Sequence, residues 1–269
     1  MYDFDLKTPA TIDEAIAALG QEGAQALGGG QTLLPTMKAR LAQMDTLVSL
    51  SHIDAIKGVC RDDAGRICIG GGTTHAAAAK ALSDDYPALA WLAGHIGDPA
   101  VRARGTIGGS LANDDPSACW PAGALGSGAT IVATRPDGVR EIAADDFFEG
   151  LFTTALVEPE IVTEVRFPVP RAAAYEKFIQ PASRFPLVAA FVARFDDGVR
   201  VAITGASSDG VFRWTDAETA LAADFTADAL ADLAPPAADS MIEDLHGSRE
   251  YRAHLVGVMT RRAVGKAAG

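Results

Sequence analysis

The sequence predicts an α+β protein, with a front part in which strands alternate with helices and a C-terminal part built on antiparallel strands. Three observations carry this. Two strand, triple-glycine, helix units occur, AQALGGGQTLLPTMKARL at 24–41 and RICIGGGTTHAAAAKAL at 66–82. From 160 onward strand-like runs succeed one another across short turns. Pro168 and Pro170 mark the change of character between the two parts.

Thr11 stands before Asp13, Glu14 and the run EAIAAL, and Gly20 closes it: a capped helix with acids in its first turn. AQAL is a strand that breaks at Gly28. Leu33 to Leu41 reads as a helix, with Leu34, Met37, Lys38 and Leu41 at helical spacing and Pro35 tolerated in the first turn. TLVSL (46–50) and RICIG (66–70) are strands. The helix THAAAAKAL takes Thr73 or Thr74 as its cap, and PALAWLAGHI (87–96) adds another before the glycine-rich stretch 105–116 interrupts the pattern. IVAT and VREI flank Pro136-Asp137-Gly138 and form a hairpin. EIVTEVRFPV (160–169) and AAYEKFIQ (173–180) are strands; LVAAFVARF (187–195) reads as a strand or as a helix. Asp197-Gly198 turns into VRVAITGAS, and alanine-rich helical sequence ends the chain.

With 269 residues and 48% hydrophobic content the chain can bury a sizeable core. Lys plus Arg number 23 against 35 Asp plus Glu, and the net charge of −12 repels phosphate backbones and anionic lipid. Nucleic acid is therefore not an expected partner. No stretch approaches ~20 uninterrupted apolar residues, and MYDFDLKTP lacks the basic start of a targeting segment, so integral membrane association is not expected and a cytoplasmic location is. Cys60, Cys68 and Cys119 show no C-x-x-C spacing and are read as free, mostly buried thiols. His52, His75, His95, His246 and His254 form no close ligand pair, so no metal site is predicted.

Gly28, Gly29 and Gly30, followed by Gln31, Thr32 and a helix, expose consecutive N–H groups with no Cβ in the way, which suits a phosphate; a plain glycine turn is the alternative. Thr106, Ile107, Gly108, Gly109 and Ser110 form a second such stretch with a hydroxyl at each end. Two cradles suit a pyrophosphate. Asn113, Asp114, Asp115 and Pro116 follow, either as hydrogen-bonding groups for ribose or ribityl hydroxyls or as an ordinary turn.

LGGGQTLLP (27–35) and RARGTIGGSLANDDP (102–116) resemble, in this order, the two FAD loops of the flavoprotein subunit of molybdenum hydroxylases of the xanthine dehydrogenase and carbon monoxide dehydrogenase type, which read AGGxSLLP and RxxGTIGGxxAxxDP. IGGGTTHA (69–76), EPEIVTEVRFP (158–168) and YEKF with SRFPLVAAFV (175–192) extend the resemblance over nearly the whole chain. It implies two N-terminal α/β subdomains of the PCMH-type FAD-binding fold, 1–55 and 56–170, and a small α+β domain with an antiparallel sheet, 171–269. Leu27, Gly28, Gly29, Gly30, Gln31, Thr32, Leu33 and Leu34 would wrap the FAD pyrophosphate, completed by Thr106, Ile107, Gly108, Gly109 and Ser110. Ile96 and Gly97 would pack on adenine or flavin; Val162 and Phe185 would lie near the isoalloxazine ring.

The implied function is electron relay: no catalytic side chain is assigned, and FAD passes electrons from 2Fe–2S clusters to NAD, a quinone or another acceptor. The clusters and the molybdopterin belong to a small iron–sulfur and a large partner subunit, since three cysteines are too few for two clusters; a dimer of heterotrimers is implied. Two departures stand out. Cys119 takes the place of an Asp that holds a ribose hydroxyl, so that contact passes to Asp115 or Asn113 or is lost. Ile179 takes the place of a Lys near the flavin, with Lys177 on the same side of a regular strand.

Trp91, Trp120 and Trp214 are read as packing residues before flavin platforms, and His75 as a helix-start residue before a cofactor contact. Arg102 and Arg104 either offset phosphate charge or pair with acids. Arg249, Arg252, Arg261, Arg262 and Lys266 are read as a solvated face, with an acidic partner as the alternative. Rival functions are a stand-alone flavoprotein oxidase, for which neither a covalent attachment residue nor a substrate domain is visible, and a binding module that has lost FAD.

Overall fold

The computed structural model describes residues 1–268. In the first unit β1 (Asp5–Lys7), α1 (Ile12–Leu19), β2 (Ala24–Leu27), α2 (Leu33–Lys38) and β3 (Thr46–Ser49) build a parallel sheet ordered β1-β3-β2. Thr11 caps α1 reciprocally: its hydroxyl accepts from the Glu14 amide at 3.2 Å, and the Glu14 carboxylate accepts from the Thr11 amide at 3.3 Å. The second helix is shorter than its spacing predicts. Arg40 adopts φ 60°, closing α2 after Lys38, and Leu41 turns out to solvent.

The second unit runs β4 (Val59–Arg61), β5 (Ile67–Gly70), α3 (His75–Ala81), α4 (Pro87–Gly94), α5 (Pro99–Arg104), α6 (Ile107–Asn113), α7 (Trp120–Ser127), β6 (Thr130–Arg135), β7 (Gly138–Ala143), α8 (Ala144–Phe147), the small pair β8 (Phe148–Gly150) and β9 (Thr153–Thr154), and β10 (Ile161–Phe167). Its five strands order as β4-β5-β10-β6-β7 and each pairing is antiparallel. The unit thus keeps the strand, glycine turn and helix order of the first without its parallel sheet. The glycine-rich stretch 105–116 contains α6, because Thr106 caps it and its apolar residues Ile107 and Leu111 reach the core. All eight residues of α7 are buried, so its sequence WPAGALGS shows no polar face from which to read a helix.

The last unit is a four-stranded antiparallel sheet, β11 (Ala172–Ile179), β12 (Pro186–Phe195), β13 (Gly198–Ser207) and β14 (Gly210–Arg213), with α9 (Thr215–Ala223) and α10 (Arg249–Ala268). LVAAFVARF is a strand. Ala189, Phe191 and Ala193 belong to the core of the second unit, while Val188, Ala190 and Val192 belong to a separate core under the C-terminal helices. Burial on both faces erases the alternation that marks a half-exposed strand. Of the five C-terminal cations, Arg252 departs from the expected solvated face: it is 1% exposed, donates to the carbonyls of Leu187 at 2.8 Å and Gly205 at 2.7 Å, and pairs with Asp244 at 2.7 Å. Lys266 pairs with Glu176 and lies 5.2 Å from the Trp91 ring centroid. Trp120 and Trp214 are core residues, and Trp91 stacks on His95. Among the described residues, no helix is long and apolar enough to cross a membrane.

Arg252→Ala leaves two buried carbonyls without a donor, and it is expected to lower stability by roughly 2–4 kcal/mol. The check is a fall in the urea midpoint at unchanged slope.

Candidate functional site

A cleft of about 1410 Å³ lies where the three units meet. It is lined by Leu27 to Leu33 from the first unit, by Ile96, Gly97, Thr106, Gly108, Gly109, Ser110, Asn113, Asp115, Cys119 and Val162 from the second, and by Phe185 from the third. Two expected residues do not line it. Leu34 packs on the first loop, where a Cβ at Gly30 would meet its Cδ1 at 2.8 Å, and Ile107 is wholly buried in the core. A smaller cavity beside Asp145 and Arg213 offers little to a ligand, because Arg213 is paired with both Asp145 and Glu218.

The first loop leaves β2 at Leu27 and crosses directly over the end of α5. A Cβ at Gly29 would stand 2.0 Å from the Arg104 carbonyl oxygen, so only glycine permits the approach. The Gln31 side chain braces the turn by donating to the Gly29 carbonyl at 3.0 Å. Among the described residues, the amides of Gly29, Gly30, Gln31 and Thr32 donate to no acceptor. These are open donors on a cleft wall.

The second loop differs. Its amides are spent inside the fold: Ile107 donates to Thr73 O at 3.1 Å, Gly108 to Gly71 O at 2.8 Å, Gly109 to the Thr106 hydroxyl at 3.2 Å and Ser110 to Thr106 O at 3.0 Å. The expected backbone cradle is therefore a close-packing device. A Cβ at Gly108 would lie 2.7 Å from Gly71 O; Thr106 and Ser110 still line the cleft, and the Thr106 hydroxyl lies against the first loop, where a Cβ at Gly28 would be 2.9 Å from it. Arg102 does not line the cleft and pairs with no acid among the described residues; its guanidinium donates to the carbonyls of Ile96 at 3.1 Å and Gly97 at 2.9 Å and so holds that corner of the cleft.

The segment after α6 is tied down by β13, whose Thr204 hydroxyl lies within hydrogen-bond distance of the carbonyls of Pro116, at 3.0 Å, and Ala118, at 2.8 Å. Asp115 accepts from the Ser117 amide at 2.8 Å, as an ordinary Asx turn does, while still facing the cleft. Cys119 is a buried free thiol whose Sγ is 3.7 Å from Lys177 Nζ; that ammonium also donates to the His95 carbonyl at 2.6 Å. Lys177 lines the cleft and Ile179 does not, because a bulge between Phe178 and Ile179 breaks the strand's alternation. Phe185 stands edge-on to His246 at 5.3 Å, and Val162 sits at the bulge of β10.

Asp114, unlike its neighbours Asn113 and Asp115, does not line the cleft. Asp114 is 1% exposed, sits in the left-handed region at φ 40°, and neither carboxylate oxygen has a partner among the described residues. Desolvation, with the neighbouring Asp115 charge adding to it, pushes its pKa up to about 7.

These residues fit a dinucleotide such as FAD. Four open amides lie on the wall of a cavity that Thr106 and Ser110 also line, and it is larger than the ~300–1,000 Å³ of ordinary small-molecule sites.

Residues 2–170 match the family described as FAD binding domain in molybdopterin dehydrogenase. The carbon monoxide dehydrogenase medium chain of Hydrogenophaga pseudoflava is 33% identical over 98% of this chain and 96% of its own length. The nicotine 6-hydroxylase medium subunit of Paenarthrobacter nicotinovorans is 33% identical over 96% and 94%. Among solved structures, CO dehydrogenase from Oligotropha carboxidovorans matches with a TM-score of 0.91 and 32% identity over 99% of this chain and 98% of that one. Quinoline 2-oxidoreductase from Pseudomonas putida 86 matches with a TM-score of 0.89 and 28% identity over 99% and 97%.

Asp114 makes stability depend on pH with a definite sign. Its folded pKa of about 7 lies above its ordinary value of 3.8, so between those values the folded chain binds more protons than the unfolded one. The Asp114 contribution to stability therefore falls as pH rises from about 4 to about 7 and levels off above that, opposite in sign to the contribution of His75, whose pKa is lowered to about 4. Asp114→Asn is expected to remove this slope and to be the more stable protein near pH ~8, by roughly 2–4 kcal/mol. Urea midpoints of both proteins across that range decide it; parallel curves would contradict the assignment.

Proposed function

The chain belongs to the family of FAD binding domains of molybdopterin dehydrogenases, and on that basis we propose that it is the FAD-binding electron-transfer subunit of a heterotrimeric molybdenum hydroxylase. It is an oxidoreductase subunit, and its relatives are medium chains of multi-subunit enzymes. The observation that carries the reading is the row of open amides at Gly29 to Thr32 on the wall of one cleft that Thr106 and Ser110 also line. Amides without internal acceptors favour an anionic oxygen there.

Bound in this cleft, FAD supplies the exchange of electrons between 2Fe–2S clusters of a small partner subunit and an external acceptor, NAD, a quinone or another carrier. The chain's own residues position and tune. Gly29 holds the two loops together, and Arg102 fixes the corner at Ile96 and Gly97. Phe185 and Val162 add apolar surface to the cavity wall. Lys177 places a buried positive charge in the wall, which favours any negative charge gained by a group bound beside it. Cys119 occupies the wall beside that charge and replaces a carboxylate with a poor hydroxyl acceptor, so Asp115 or Asn113 takes the ribose contact. The large subunit carries the molybdopterin and selects the substrate; assembly as a dimer of heterotrimers in the cytoplasm belongs to the same proposal.

The purified full chain, mixed with FAD, is expected to turn yellow and to give a bound-flavin absorption spectrum. A protein that stays colourless and leaves FAD fluorescence unchanged rules the reading out. Lys177→Met is expected to lower the two-electron potential of the bound flavin by about 30 mV, the equivalent of about 1.4 kcal/mol. Spectroscopic titration against a dye of known potential measures the shift.

A further inference from the structure

We infer that His75 is a fixed hydrogen-bond donor to a phosphate oxygen of the dinucleotide, its ring proton placed on Nε2 by Trp120. The inference rests on the FAD reading above and adds a residue and a device to it.

Trp120 Nε1 stands 3.0 Å from His75 Nδ1, and an indole N–H only donates. Nδ1 is therefore the acceptor nitrogen, and a neutral imidazole in this arrangement carries its proton on Nε2. The ring is neutral because burial, reinforced by the Arg102 charge, pulls its pKa down to about 4. Trp120 is wholly enclosed in the core, so the tautomer is set by packing and not by solvent.

Nε2 then has a proton to give and, among the described residues, no acceptor, although His75 is only 5% exposed. Nε2 opens on the cleft and is not sealed in the core, so its proton is available to an acceptor that enters there. The side chain lines the cleft, and the structure keeps Nε2 uncovered: a Cβ at Gly105 would stand 2.6 Å from it. The backbone is pinned at the same place, where the His75 amide donates to Gly105 O at 2.9 Å. This is also where the two loops touch, since a Cβ at Gly29 would lie 2.6 Å from the Gly105 Cα. The second loop has spent its own amides, so His75 supplies the N–H on that side, opposite the open amides of the first loop. Several N–H groups converging on one point select a phosphate oxygen over a lone hydroxyl.

Two measurements on the full chain test this. FAD fluorescence titrations are expected to show the unaltered protein binding and His75→Phe binding about tenfold more weakly, a difference of about 1.4 kcal/mol. Nitrogen-15 spectra of the unaltered protein are expected to show a neutral ring protonated on Nε2 down to about pH 5, with the Nε2 proton shifting on addition of FAD and staying in place with riboflavin, which has no phosphate. Equal affinity of a folded His75→Phe overturns the inference and leaves the FAD reading standing. A ring protonated on Nδ1, or an Nε2 proton that moves equally with riboflavin, overturns it as well, and does so without any variant. Absence of FAD binding by the unaltered protein removes the reading beneath it and the inference together.

Discussion

The contact on which the rest depends is made by main chain alone, where Gly29 lies against the end of α5 with no room for a side chain. It joins a loop of the parallel sheet to a loop of the antiparallel one, at a spacing set by backbone van der Waals radii. Side-chain contacts between the units would leave that spacing to rotamers. Because it is backbone on backbone, the wall of open amides, the Thr106 hydroxyl and the His75 ring hold fixed positions before any ligand enters.

The two glycine loops share a composition and divide the labour. In the first, glycine leaves amides unspent; in the second, glycine lets α6 close on Gly71 and consumes them. Equal glycine content therefore says nothing about equal donor supply, and only the bookkeeping of each N–H tells the cases apart. The donors missing from the second loop are replaced by side chains whose own settings come from the core: a hydroxyl that caps a helix and an imidazole held by a buried tryptophan.

Much of this was legible in sequence. The Thr11 cap, the Pro136-Asp137-Gly138 hairpin and both glycine loops are local signals, and local chemistry decides them. What stayed hidden is long-range. The character of β12 depends on two cores covering it, the burial of α7 on helices and strands distant in sequence, and the fate of Arg252 on carbonyls contributed by Leu187 and Gly205. Within the site, Leu27 to Leu33 were readable from the motif. Lys177 emerged over Ile179 only through a bulge, and Asp114 only through enclosure, neither of which has a local sequence signature.

The two-sided burial of β12 has a dynamic meaning. A strand shared by two cores makes them one cooperative unit, since lifting α10 off one face uncovers residues whose neighbours support the other. Its amides belong among the slowest to exchange with solvent, and β11, which pairs with it along its length and bears Lys177, shares that protection. The electrostatic setting of the cleft is thereby anchored in the most persistent part of the molecule, while breathing motions are left to the loops around its mouth.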